Sequence, residues 1–347
     1  MPYTCRVITR FDEQDMTRLL AMVDAAWRLD YQEDFRLDFS AGFMDRCTAQ
    51  PGWFGVLVLD DNGAPIGWEI AMPRVLRTGA REFNAFYVTM FSVAPDHRRR
   101  GIGRQVLEGI NEEAFGVRGA DLIFSTFHGG HAGSPTVQAT FDAAGLQVNR
   151  FQETPAFVLR FDRAELPESG EGLPMILAVS LEGDVVVDAD AGRQLINVSD
   201  LDAAIAEAHE VSFRSTDLLG VFANPAVDTA KSYWLEFDDG AWCWVNATVN
   251  HLRYNEHAVG TSMQLQTLYG EGLTDVQVEQ TIVALCRQWK AEKHLAAMAM
   301  NQTNMSPACL ERIGFHADDQ LYFAVRGSAE AVASFGNPSA PYFVDFT

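Results

Sequence analysis

The chain has 347 residues, 48% of them hydrophobic, and sets 26 Lys and Arg against 47 Asp and Glu for a formal net charge of −21. That length suffices for two ordinary cores, a field of that sign repels nucleic-acid phosphates, and no run approaches the roughly 20 apolar residues of a bilayer span. The expectation is a cytoplasmic two-domain protein with no nucleic-acid or membrane partner, and nothing implies an oligomer. Cys5, Cys47, Cys243, Cys286 and Cys309 are scattered and lack zinc spacing, so they are expected as buried thiols, with no metal.

An opening strand at 4–8 precedes a helix over 12–29, whose acidic start suits a helix amino terminus. A second helix is expected over 38–49. Residues 53–59 and 66–74 form a hairpin around Asp60-Asp61-Asn62-Gly63. Residues 83–93 are apolar at odd and even positions, as in a central strand covered on both faces. Ile102, Val106, Ile110 and Ala114 then recur at helical spacing. A strand at 121–127, a short helix at 135–144 stopped by Gly145, and a strand at 154–161 that closes the first unit complete an α/β pattern. The mixture of proline, glycine and charge at 166–174 reads as a linker.

The second half repeats the plan. It has a helix at 200–211, a hairpin through Asp238-Asp239-Gly240, and a long apolar strand at 260–269. A helix at 275–292, a strand at 295–300, a short helix and Gly314-Phe315 follow. The domains expected are therefore 1–165 and 175–347, joined by 166–174.

The chemistry concentrates where the strand at 83–93 gives way to a helix, in Phe91-Ser92-Val93-Ala94-Pro95-Asp96-His97-Arg98-Arg99-Arg100-Gly101-Ile102-Gly103-Arg104. A helix amino terminus presents unpaired N–H groups and the positive end of the macrodipole, so it accepts a phosphate without a dedicated side chain. Gly101 and Gly103 let the backbone come close, and four arginines supply countercharge. The spacing is neither that of a nucleotide-hydrolase loop nor Gly-x-Gly-x-x-Gly.

Arg98-x-x-Gly101-x-Gly103, after a strand ending Val93-Ala94-Pro95, resembles the acetyl-coenzyme A motif of the GNAT N-acetyltransferase superfamily. The order of elements over 1–163 fits that family, and the second half resembles a degenerate repeat. The resemblance implies two tandem α/β (α+β) domains, each a mixed, mostly antiparallel twisted sheet flanked by helices. It also implies an acyltransferase using acetyl-CoA or another acyl-CoA as co-substrate. The backbone of Phe91 and Val93 would pair with the pantetheine arm, and the amides of Arg98, Arg99, Arg100, Gly101, Ile102, Gly103 and Arg104 would hold the pyrophosphate. Ser92, Ser134 and Phe141 join them as coenzyme contacts. In the second half the corresponding loop is Leu268-Tyr269-Gly270-Glu271-Gly272-Leu273-Thr274-Asp275, whose carboxylate repels a diphosphate.

Proton transfer is less marked. Phe141 stands where many members have a tyrosine acid, and 86–92 carries no carboxylate base. His128 and His131, after the strand at 121–127, are the catalytic candidates, and Glu69 on the hairpin is expected to face solvent. Tyr31, Glu33, Asp34 and Tyr87 are the acceptor-binding candidates, and the acidity of 30–38 suits a cationic amine. The acceptor is expected to be a small-molecule amine between the two domains. The alternatives are a protein amine, a cysteinyl-sugar amine as in mycothiol synthesis, or a non-catalytic acyl-CoA sensor.

Overall fold

The structure, a computed structural model, describes residues 3–31, 35–38, 41–78, 81–128, 133–167, 172–209, 211–217, 219–224, 226–254, 257–300, 305–335 and 342–344. The first half contains β1 (Thr4–Ile8), α1 (Glu13–Tyr31), β2 (Phe35–Asp38), α2 (Ala41–Thr48), β3 (Phe54–Leu59), β4 (Pro65–Thr78), β5 (Arg81–Val93), α3 (Ile102–Asn111), β6 (Leu122–His128), α4 (Gly133–Ala143) and β7 (Asn149–Arg160). The second contains β8 (Met175–Glu182), β9 (Val185–Asp188), β10 (Gln194–Asn197), α5 (Val198–Ala208), β11 (Val211–Ser215), α6 (Gly220–Ala223), β12 (Ala230–Glu236), β13 (Trp242–Tyr254) and β14 (His257–Tyr269). It continues with α7 (Asp275–Ala291), β15 (Ala296–Met300), α8 (Pro307–Ile313), β16 (His316–Gly327), α9 (Ala329–Phe335) and β17 (Tyr342–Val344).

Local chemistry explains the hairpin. Asp60 Oδ1 accepts hydrogen bonds from the amides of Asn62 and Ala64 at 2.9 and 2.8 Å, and Gly63 takes φ +76°, so the side chain closes the turn and the glycine completes it. In the first unit β1 pairs with β3, β3 with β4 and β4 with β5, all antiparallel, while β5 and β6 run parallel. The amphipathic α3 buries Leu107 and packs Ile102, Val106 and Ile110 in one cluster with Val56, Val58, Val88 and Ile123.

The strand expected to close the first unit forms as β7 but is used elsewhere. The chain divides into a unit of residues 1–153, 253–257 and 320–339 and a unit of residues 154–252, 258–319 and 340–347. From Ala156 to Arg160, β7 pairs antiparallel with β15, with Ala156 opposite Met300 and Arg160 opposite Ala296. Phe157, Leu159 and Phe161 are buried in the core of the second unit with Leu285 and Trp289 of α7. The first unit takes β16 instead, with Leu321 opposite His128 and Gly327 opposite Leu122. The compact units therefore do not divide at 166–174. Alternation in a sequence shows that a strand is covered by a core, not which sheet edge receives it.

Of the cysteines, Cys47, Cys243, Cys286 and Cys309 are buried free thiols, whereas Cys5, expected inside, is exposed. It lies on β1, whose burial pattern is open along most of its length. No helix among the described residues is long and apolar enough to cross a membrane.

Candidate active site

Two irregularities in the central sheet of the first unit create the site. The parallel pairing of β5 with β6 covers only Ala85–Leu122, Phe86–Ile123 and Tyr87–Phe124. Beyond this vertex β5 runs on to Val93, while β6 stays paired to β16 as far as His128. The two strands thus splay, leaving the side of β5 that faces β6 without its ladder. Backbone amides there require partners, and an extended ligand with its own amide groups supplies them.

The second irregularity is a β-bulge on the other side of β5. Trp68 lies opposite Ser92 and Ile70 opposite Thr89, so Met90 and Phe91 together face Glu69 alone. Met90 takes φ +61°, a left-handed conformation that is costly for a bulky side chain. Ser92 holds it there: its hydroxyl donates to the Met90 carbonyl at 3.0 Å and accepts from Trp27 Nε1 of α1 at 2.9 Å. Ser92, expected to touch coenzyme, is 3% exposed, and its side chain is committed to the bulge.

From Val93 the chain turns into α3. Gly101 caps the helix at φ +81° with no side-chain cap, and Gln105 is the residue whose amide donates back to the Gly101 carbonyl, at 3.1 Å. The amides of the first turn thus lack intrahelical acceptors, as helix geometry dictates. A Cβ on Gly103 would meet Thr140 at 3.0 Å and Phe91 at 3.1 Å, whereas one on Gly101 meets nothing within 4 Å. Gly103 therefore serves close packing, and Gly101 serves the backbone turn.

The arginines divide by task. Arg98 Nε donates to the Val93 carbonyl at 3.4 Å and Nη2 to the Ala26 carbonyl at 3.2 Å, fastening the loop to β5 and α1. Arg104 pairs with Glu108 one turn along the helix. Arg99 and Arg100 are exposed, and Arg99 takes φ +58°.

Phe141 is buried in α4, and the Arg326 guanidinium lies 5.1 Å from its ring centroid. Tyr87, expected to bind acceptor, is buried at the vertex; its hydroxyl meets Thr126 Oγ1 at 3.2 Å, and burial raises its pKa. Glu33, Asp34 and His131 lie outside the described residues. Of Tyr31, His128 and Ser134 the backbone alone is described, at the end of α1, the end of β6 and in α4.

Glu69 corrects the sequence expectation. It is 3% exposed, because residues 65–72 of β4 are buried on both faces. Burial pushes its carboxyl up to about 7, against the opposing pull of Arg326, and its Oε2 has no hydrogen-bond partner. Arg326 is itself buried, its Nε donating to Asn111 Oδ1 at 2.8 Å. The signal for Glu69 was present in the sequence: a single charge inside the apolar run Ile66-Gly67-Trp68-Glu69-Ile70-Ala71-Met72. A strand buried on both faces has no solvent side to offer it. Among the described residues no group of three or more His, Cys, Asp or Glu is placed to hold a metal ion.

Residues 52–138 match the acetyltransferase (GNAT) domain family. The fold is similar to that of Saccharomyces cerevisiae N-myristoyltransferase with bound myristoyl-CoA, at TM-score 0.67 and 13% identity over 93% of this chain and 82% of that one. It is similar also to a tandem GNAT protein from the clavulanic acid biosynthesis pathway, at TM-score 0.62 and 15% identity over 94% and 98% of the two chains. No curated protein matches the sequence. Residues 52–138 thus carry the match to the GNAT acetyltransferase domain, and the fold as a whole is similar to that of a tandem GNAT protein.

Proposed function

We propose that the first unit binds an acyl-CoA, most simply acetyl-CoA, and transfers its acyl group to the amine of a small molecule. The observation that carries this reading is the splay of β5 from β6 beside an uncapped helix amino terminus. One offers a ladder to pantetheine amides, and the other offers first-turn amides to a diphosphate. In the reaction the amine nitrogen attacks the thioester carbonyl, the C–S bond breaks, the ammonium proton passes to a base, and the thiolate leaves as coenzyme A.

Two groups are proposed for the base. His128 ends β6 beyond the vertex, and imidazole titrates near neutrality. Glu69 opposes the bulge with its carboxyl at about 7, poised to hold a proton at neutral pH. Release of free coenzyme A thiol from acetyl-CoA, followed across a panel of amines, tests the reading. Acetyl-CoA binding without thiol release for any amine would make the protein a sensor, and no binding would remove the assignment. Replacing each base separately, His128→Ala and Glu69→Gln, assigns the proton: the true base lowers kcat roughly 100-fold with little change in coenzyme affinity.

A further inference from the structure

The first unit buries a cation on which no carboxylate among the described residues acts. Arg46 of α2 is 5% exposed, its guanidinium carbon lies 4.7 Å from the centroid of the Phe43 ring, and its Nη1 has no hydrogen-bond partner. The ionisable groups that act on it are Cys47 and Tyr87. Both are neutral at pH 7, since burial pushes the thiol up to about 11 and raises the phenol as well. Cys47 also feels a second guanidinium, that of Arg74 on β4. Arg74 is buried, donates to Gln50 Oε1 and to the Pro73 carbonyl, and lies 5.8 Å from the centroid of the Tyr87 ring.

The position of this cluster ties it to the reaction. Tyr87 is the last β5 residue paired with β6, and its hydroxyl bonds Thr126 on the part of β6 that has already left β5. Both guanidiniums therefore bear on the vertex of the opening in which thioester and acceptor meet. A buried charge without a counterion lowers stability. Among the described residues, no Asp or Glu acts on Arg46. A guanidinium with an unfilled N–H, acted on only by a neutral thiol and a neutral phenol among the described residues, suits the single charge and planar fork of a carboxylate better than a dianionic phosphate.

We infer that Arg46, supported by Arg74, binds a carboxylate of the substrate pair. The inference rests on the acyltransferase reading of this unit. Two sources carry that chemistry: an acceptor in which amine and carboxylate share one molecule, as in α-amino acids, or a dicarboxylic acyl thioester such as succinyl-CoA.

Thermal shifts of the full-length protein separate them. Saturated with acetyl-CoA, the protein is titrated with α-amino acids and, in parallel, with their carboxamides, and the free protein is titrated with acetyl-CoA and succinyl-CoA. At least one amino acid raises Tm where its carboxamide does not, or succinyl-CoA raises Tm more than acetyl-CoA; the first outcome places the carboxylate on the acceptor and the second on the acyl chain. Arg46→Met abolishes that difference, keeps the acetyl-CoA shift, and melts no lower than the native protein because a lone buried charge has been removed. Arg46→Lys, which keeps the charge without the fork, retains part of the difference. Acids no better than amides together with succinyl-CoA no better than acetyl-CoA would overturn the inference. So would an Arg46→Met protein of lowered Tm whose ligand shifts are unchanged. Failure of the underlying reading is distinct, since it appears as the absence of any shift with acetyl-CoA.

Discussion

The helix α3 follows β5 and α7 follows β14, each a strand with a parallel neighbour, and the first turns of these two helices are finished in opposite ways. In α7, Thr274 and Gln277 form a reciprocal capping box: Thr274 Oγ1 accepts from the Gln277 amide at 3.2 Å, and Gln277 Oε1 accepts from the Thr274 amide at 3.0 Å. The preceding loop is closed as well. A Cβ on Gly270 would meet Leu273 Cδ1 at 2.4 Å and the Trp242 carbonyl at 2.5 Å, and Leu273 packs on the core. At α3, Gly101 supplies no side-chain cap and leaves open space around it. A helix that satisfies its own first amides has fewer to offer a diphosphate, and Glu271 adds repulsion. The same strand-to-helix junction is thus left open in one unit and closed by its own side chains in the other.

The sharpest way to break the contrast is to cap α3. Gly101→Asp places a carboxylate over the first-turn amides in a conformation Asp tolerates. It should weaken acetyl-CoA binding about 100-fold by calorimetry, since it removes charge-assisted hydrogen bonds worth about 3 kcal/mol. Gly272→Asp in the second unit should leave binding within error, and equal losses would end the distinction between the units.

Next comes the bulge. Ser92→Ala takes the acceptor from Trp27 and the restraint from Met90, which should cost about 1 to 3 kcal/mol of stability in urea denaturation. It should also lower kcat more than it alters coenzyme affinity.

Glu69 gives a slope rather than a loss. Its folded pKa stands at about 7 against an ordinary 4.5, so the folded state holds an extra proton between those values. The stability this contributes is complete below pH 4.5 and is lost as pH rises through 7, at up to about 1.4 kcal/mol per unit. Glu69→Gln should flatten stability against pH across that window, and an unchanged slope would assign the titration to another group. Smallest of all, Thr274→Ala should cost about 1 kcal/mol by uncapping α7, without creating coenzyme affinity, because Glu271 and Leu273 remain.

Much of this is legible in the sequence. The hairpin at Asp60, the central strand ending at Val93 and the glycine turn into α3 follow from local chemistry, which the sequence states directly. What it did not state were relations between strands. The bulge that sets Met90 and Phe91 against Glu69 is a property of register, so a carboxylate on an apolar strand was read as solvent-facing. Arg46 sits on an ordinary amphipathic helix, and its burial depends on what α2 packs against. The exchange of β7 and β16 is a choice between sheet edges that alternation leaves undecided.

That exchange bears on how the chain is made. In the first unit β6 lacks its β16 partner until residues 321–327 have been synthesised, about 170 residues after the segment 1–153 of that unit. At ribosomal rates of about 5 to 20 residues per second, β6 waits roughly 10 to 35 s with an open hydrogen-bonding edge. Such an edge invites pairing with a second nascent chain. Expressing residues 1–165 alone prolongs that exposure indefinitely, whereas a fragment supplemented with 316–335 supplies the missing strand.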